Sequence, residues 1–276
     1  MNPSVSGPPL PVDALRSFWQ EADLPAERWP YYEFQARRYG AIAEFLRPYG
    51  PWNGRRVLDL GGGVGGLSVL LHGTLGGSYD LAEFALPSAT HRAALERRGV
   101  ERAFAVDLSA PPALGALPSG YDAILLVEVL EHLLVNPLVL FREIWDHLRD
   151  GGLLFLTTPN MARLTNRLRL LRGRSIKESG RYPYDGSRVY GHVIEFTQDE
   201  LDHLLTAGSF RPDRSDVVQQ VPQVRPSGRQ RLGVSILNLA VARRLRWGDD
   251  LLASYRKIPR PPDGRPPVPL DAAGRI

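Results

Sequence analysis

No cysteine occurs among the 276 residues. That excludes a disulfide framework, a zinc–thiolate centre and a cysteine nucleophile, and it accords with a reducing compartment. No run approaches the roughly 18 consecutive apolar residues of a membrane span. The opening MNPSVSGPPLPVD lacks a basic stretch followed by an apolar one, so no secretory signal is expected and the expected location is cytoplasmic. A strong excess of charge of either sign is also lacking. The net charge is +4, a weak footprint for a nucleic-acid partner, and no RNA-binding module is recognisable.

What is present is enough apolar sequence, 43%, for one sizeable core. The charge is unevenly placed. Residues 161–192 hold eight basic residues against two acids, so this stretch is +6 and the remainder is near −2. Such a segment either steers an anionic ligand or is a solvated helix face.

The periodicity alternates between strand and helix. A helix is expected over 33–48, with Phe34, Ile42, Phe45 and Leu46 on one side. Strands are expected at 56–60, 78–84, 102–108, 121–129 and 153–158. The fourth, YDAILLVEV, is apolar on both faces, as a central parallel strand is. Asn136-Pro137 reads as an N-cap and first helical residue, and Asp150-Gly151-Gly152 as the stop of that helix. Asn160 is expected to cap a helix carrying Met161, Leu164, Leu168 and Leu171. A long loop covers 173–192, then Thr197-x-x-Glu200 is a capping box. SDVVQQV and LLASYRK are candidates to complete the sheet. Alternation of this kind implies a parallel sheet with right-handed crossovers, with ligands beyond the carboxyl ends of the strands.

At one of those ends stands VLDLGGGVGGL, residues 57–67. Glycines here bring backbone close to a ligand, and two cofactors compete for the pattern. Gly61-x-Gly63-x-x-Gly66 suits a dinucleotide, whose pyrophosphate favours backbone N–H groups without an uncompensated anion nearby. Asp59-x-Gly61-x-Gly63-x-Gly65 suits S-adenosylmethionine, whose methionine portion is cationic and which has no phosphate. Later acids favour the second reading. Glu83, or Asp80 if the strand stops earlier, is placed to take the ribose hydroxyls; Asp107 is placed for the adenine amino group, and Glu128 follows on the fourth strand.

VLDLGGGVGG, VDL, YDAILLVEVLEHL, LRDGGLLFLTTPN and GHVIEFTQDELDHLLTAGSF together resemble the ordered motifs of class I S-adenosylmethionine-dependent methyltransferases, over roughly residues 38–212. The resemblance implies a Rossmann-like α/β fold: a seven-stranded, mostly parallel sheet with helices on both faces and an antiparallel last strand. It implies cofactor contacts at Asp59, Gly61, Gly63, Gly65, Glu83, Asp107, Leu108 and Glu128. One departure is Glu83, which stands in AEF where the family usually has Asp. The expected organisation is an N-terminal extension over 1–32, a methyltransferase domain over 33–258 with a basic lid at about 161–192, and a proline-rich tail over 259–276.

On the acceptor side, EVLEH is followed 60 residues later by His192. This arrangement is similar to the ubiquinone-pathway O-methyltransferases, and to the small-RNA 2′-O-methyltransferases, in which two Glu and two His hold a divalent metal. That likeness implies Glu128, Glu131, His132 and His192 as ligands of Mg²⁺ or Mn²⁺. The other reading keeps His132 and His192 as catalytic groups that position the acceptor or take its proton, without a metal. The expected acceptor is a small, anionic molecule met by Arg174, Arg181 or Arg188 and lined by Tyr182, Tyr184 and Tyr190. The alternatives are an RNA hydroxyl and a silent, cofactor-fold interaction protein.

Overall fold

A computed structural model of the chain describes residues 12–176, 192–218 and 246–260. The expected residues Tyr182, Tyr184, Tyr190, Arg181 and Arg188 of the lid, and most of the proline-rich tail, lie outside this set. The chain has the expected Rossmann-like class, with a seven-stranded and mostly parallel sheet. It forms two compact units, Met1–Val106 and Asp107–Ile276.

In the first unit, three parallel strands run in the order β3 (Val100–Ala105), β2 (Ser78–Glu83), β1 (Arg56–Leu60). In β1, Val57, Leu58 and Leu60 are all fully buried, as strands covered on both faces are. Around these strands lie α1 (Val12–Glu21), α2 (Trp29–Leu46), α3 (Gly66–Leu75) and α4 (Ala89–Glu96). Helix α1 is not expected from the sequence, yet its Leu15, Phe18 and Trp19 are buried. Helix α2 starts four residues earlier than expected, and Ile42, Phe45 and Leu46 are its buried side. The third strand is two residues earlier at its start and stops at Ala105, so Asp107 stands in the turn beyond it.

In the second unit the order is β4 (Tyr121–Val127), β5 (Leu148–Pro159), β7 (Asp250–Lys257), β6 (Phe210–Val218). Strands β4 and β5 are parallel; β7 is antiparallel to β5 and to β6. The last strand is therefore the reversed one, inserted between its two partners. Helix α5 (Pro137–His147) begins as expected, because Asn136 Oδ1 accepts from Leu138 N at 3.0 Å. It stops at His147, before Asp150-Gly151-Gly152, which belongs to β5. Helix α7 (Gln198–Ala207) opens on the expected capping box of Thr197 and Glu200.

Asn160 does not cap a helix. It is 1% exposed, its amide donates to the carbonyls of Arg246 and Gly248, and its Oδ1 accepts from Ala162 N. These bonds tie the end of β5 to the start of β7, and α6 (Leu164–Leu171) begins only after them. Of the residues expected on the apolar face of that helix, Met161, Leu168 and Leu171 are exposed.

Candidate functional site

Strand β1 delivers Asp59 to the start of the glycine loop. The side chain is fully buried, and Ser68 Oγ donates to its Oδ2 at 2.7 Å. Its Oδ1 is buried without a hydrogen-bond partner. A buried carboxylate oxygen left in this state is costly unless a ligand completes it. Burial pushes the Asp59 carboxyl up to about 6, against the Ser68 bond and with a small push from Glu83.

The loop folds tightly over this acid. A Cβ on Gly62 would lie 2.5 Å from the Asp59 carboxyl and 2.6 Å from Leu81 Cδ1, so backbone fills a space no side chain can enter. Glu83, the last residue of β2, closes the far side. Its Oε2 accepts from Gly63 N at 2.8 Å and its Oε1 from Phe84 N at 2.9 Å. Asp80 is engaged elsewhere: Arg102 clasps it through two bonds of 2.9 and 2.6 Å, and Arg56 lies 3.7 Å away. Of the two acids offered by the sequence, Glu83 is the one at the glycine loop.

Sequence reasoning missed Tyr39 of α2. A Cβ on Gly66 would meet its Cε2 at 3.2 Å, so the ring lies directly on the first residue of α3. Burial, followed by the Asp59 charge, raises its hydroxyl pKa. Nothing in the helical pattern around Tyr39 marked it, because its partner is 27 residues away and non-helical contacts carry no period.

In the second unit, Asp107 and Leu108 open a turn in which Asp107 Oδ1 accepts from Ser109 N at 2.9 Å. Glu128 follows β4 directly, with φ 53°, a left-handed conformation uncommon outside glycine. Its Oε1 accepts from Thr157 Oγ1 at 2.8 Å, and its N–H donates to the Thr157 carbonyl. That conformation turns the chain into a single 3-10 turn, Leu130–His132.

This turn buries Glu131 completely and leaves the His132 side chain half exposed. Thr158 Oγ1 donates to Glu131 Oε2 at 3.1 Å, while Oε1 is buried with no hydrogen-bond partner. Burial raises the Glu131 carboxyl, opposed by its two neighbouring histidines. The Glu131 carbonyl accepts from Val193 N at 2.7 Å, which holds the segment starting at His192 against the turn. His192 therefore meets His132 edge-on, ring centres 5.2 Å apart. Ligand atoms of Glu131, His132 and His192 all lie within 4.8 Å of one another. Glu128, the fourth expected metal ligand, is not in this group.

Glu195 was also missed. Its Oε1 lies 3.3 Å from His192 Nδ1, and Arg163 grips both its oxygens at 2.6 and 2.9 Å. Asn166 Nδ2 adds a third donor at 3.2 Å. Burial opposes ionisation, but the His192 bond and the Arg163 pair outweigh it and hold the carboxyl at about 2. An ionised Glu195 accepts only, so Nδ1 of His192 carries a hydrogen and Nε2 is the ring nitrogen not engaged by Glu195. The i, i+3 spacing of Glu195 from His192 was the available signal.

A family described as a methyltransferase domain matches residues 31–212. No curated protein sequence matches the chain. Among solved structures, the fold is similar to a chain of the complex between the Haloferax volcanii Trm112 methyltransferase activator and a methyltransferase, at 15% identity, 83% of this chain, 94% of that one and TM-score 0.56. It is similar to magnesium protoporphyrin IX methyltransferase from Synechocystis PCC 6803 with bound SAH, at 15% identity, 90% and 94% coverage and TM-score 0.51. It is also similar to the 4+2 cyclase SpnF, at 18% identity, 79% and 80% coverage and TM-score 0.50. Among the described residues no helix is long and apolar enough to cross a membrane.

Proposed function

Because the chain belongs to the methyltransferase-domain family and is an S-adenosylmethionine-dependent methyltransferase, we propose that it methylates a hydroxyl oxygen of a small molecule. The bound cofactor supplies a methyl group on a positively charged sulfur. The residues of the glycine loop fit it: the orphaned Oδ1 of Asp59 is an acceptor for its ammonium, and the space at Gly62 admits only backbone. Gly61, Gly63 and Gly65 bring backbone to it, and Glu83 takes the ribose hydroxyls. Asp107 and Leu108 take the adenine, and Glu128 flanks the adenosine.

The observation that carries the acceptor reading is the gathering of Glu131, His132 and His192, with His192 oriented by Glu195. A hydroxyl is a poor nucleophile until its proton is held by a base. His192 Nε2 is that base, since Nδ1 is committed to Glu195. His132, beside it, positions the acceptor oxygen, and orientation supplies much of the acceleration in a displacement of this kind. The exposed arginines of α6 and its end, Arg169, Arg172 and Arg174, suit an anionic acceptor.

A second reading is favoured by the orphaned Oε1 of Glu131. Glu131, His132 and His192 would hold a divalent ion that lowers the pKa of the acceptor hydroxyl. Two imidazoles favour Mn²⁺ over Mg²⁺. The RNA reading shares this trio.

The test is transfer of labelled methyl to a panel of hydroxylated aromatic and hydroxy-acid acceptors and to RNA, with and without EDTA. Products are located by mass spectrometry. The proposal predicts an O-methylated small molecule formed equally well in EDTA. Activity lost in EDTA and restored by Mn²⁺ selects the metal reading. Methylated RNA ribose, or methyl on nitrogen or carbon, overturns the proposal. SpnF shows why the fold alone does not decide this.

A further inference from the structure

We infer that His91 is a positioning residue that locks the peptide between Val64 and Gly65 in the shape the cofactor loop needs; this rests on the reading of that loop as the cofactor's seat. His91 lies on α4, a helix to which the sequence assigned no function. It is buried, and its Nε2 sits 3.0 Å from the Val64 carbonyl oxygen. A carbonyl only accepts, so Nε2 carries the hydrogen and Nδ1 of the neutral ring does not. Burial also lowers the pKa of this imidazole, which keeps it neutral.

The peptide it holds is pinned at both ends. Its N–H, on Gly65, donates to the Gly62 carbonyl at 2.9 Å. Its C=O accepts from His91. Gly65 has φ +76°, and a glycine can rotate this plane at little steric cost. Without His91 the carbonyl of Val64 has no such anchor, and the loop samples orientations in which its N–H groups are misdirected.

The same face of α4 presses on the next residue. Leu95 stands one helical turn beyond His91, and a Cβ on Gly65 would lie 2.6 Å from its Cδ2. The start of the helix is fixed by Ser88, whose Oγ accepts from His91 N at 3.2 Å. From outside, Phe18 of α1 packs on the imidazole with ring centres 5.9 Å apart. Arg98, just past α4, holds α1 through bonds to Ser17 Oγ at 3.0 Å and Glu21 Oε1 at 2.5 Å. Residues 12–21, outside the span matched by the family, therefore buttress the loop through His91.

The experiment uses the full-length chain and calorimetric titration with S-adenosylhomocysteine. His91→Leu removes the donor while keeping an apolar, helix-compatible side chain. His91→Gln returns an N–H donor at the reach of Nε2. We expect His91→Leu to weaken binding about tenfold, equivalent to about 1.4 kcal/mol. His91→Gln should stay within about threefold of wild type. In the wild type, long-range ¹⁵N–¹H correlation should show His91 protonated at Nε2 and bare at Nδ1, a readout that needs no variant. Wild-type affinity in a folded His91→Leu protein overturns the role, as does a His91→Gln variant no better than His91→Leu. An Nδ1–H tautomer overturns it as well. Absence of binding to the wild type overturns the cofactor reading itself, a distinct result from unchanged affinity in the variant.

Discussion

His192 Nδ1 lies 3.3 Å from Glu195 Oε1, and Arg163 holds that carboxylate from its other side. On the proposed reading, the pair fixes which imidazole nitrogen faces the acceptor. Replacing Glu195 by Gln keeps the shape but permits the amide to donate, which favours the opposite tautomer. Methyl transfer should fall about 10- to 100-fold, the usual effect of losing a group that orients a functional imidazole. Affinity for S-adenosylhomocysteine should not change. Initial rates and calorimetry on the same preparation check both halves; an undiminished rate removes Glu195 from the mechanism.

Asp59 sets function against stability. Its folded pKa is about 6 and its ordinary value 3.8, so the folded state holds the extra proton between these values. Stability of the unliganded protein should therefore fall as pH rises from about 4 to about 6. Asp59→Asn removes this loss. Above pH about 6 the variant should be more stable than wild type by up to roughly 3 kcal/mol, and at pH about 3.5 the two should converge. Urea midpoints at both pH values read this out. A variant that is less stable at pH 8 contradicts the burial account.

Two acids on one strand should behave differently. Glu83→Ala should weaken S-adenosylhomocysteine about tenfold with little change in Tm, since the part-exposed Glu83 carboxylate accepts from the Gly63 and Phe84 N–H groups. Asp80→Ala strips the half-exposed Arg102 and Arg56 of a buried partner and should cost about 1–2 kcal/mol of stability. Thermal melts and titrations of the two variants separate the roles. Equal effects on affinity would return Asp80 to candidacy.

Gly62→Ala tests the close approach at the loop. The added Cβ meets the Asp59 carboxyl at 2.5 Å and must displace it. Stability should drop by about 1–3 kcal/mol, with loss of cofactor binding. A folded variant with normal affinity would mean that the acid is not held where binding needs it.

The sheet and the glycine loop were legible because their signals are local. A buried strand, an acid, glycines and a helix follow one another within 57–75, and each has its own period or turn chemistry. The Glu83–Asp80 ambiguity came from the end of β2, where one residue of strand length exchanges faces; the structure ends β2 at Glu83. EVLEH drew attention through residue type, but Thr157 and Thr158, which hold Glu128 and Glu131, stand 29 and 27 residues away on β5 and carry no spacing signal. Arg163 meets Glu195 across 32 residues in the same way. Helix α1 escaped although Leu15, Phe18 and Trp19 mark one buried side, because Pro8, Pro9 and Pro11 before it and Pro25 after it read as breaks.

The central claim is that Asp59 and its loop seat the methyl donor. Calorimetric titration of wild type and Asp59→Asn with S-adenosylhomocysteine at pH 8 tests it most directly. The prediction is one-to-one binding to wild type and at least about 100-fold weaker binding to the folded variant, the scale of a lost buried charge pair. No heat with wild type, or equal affinity in the variant, contradicts it.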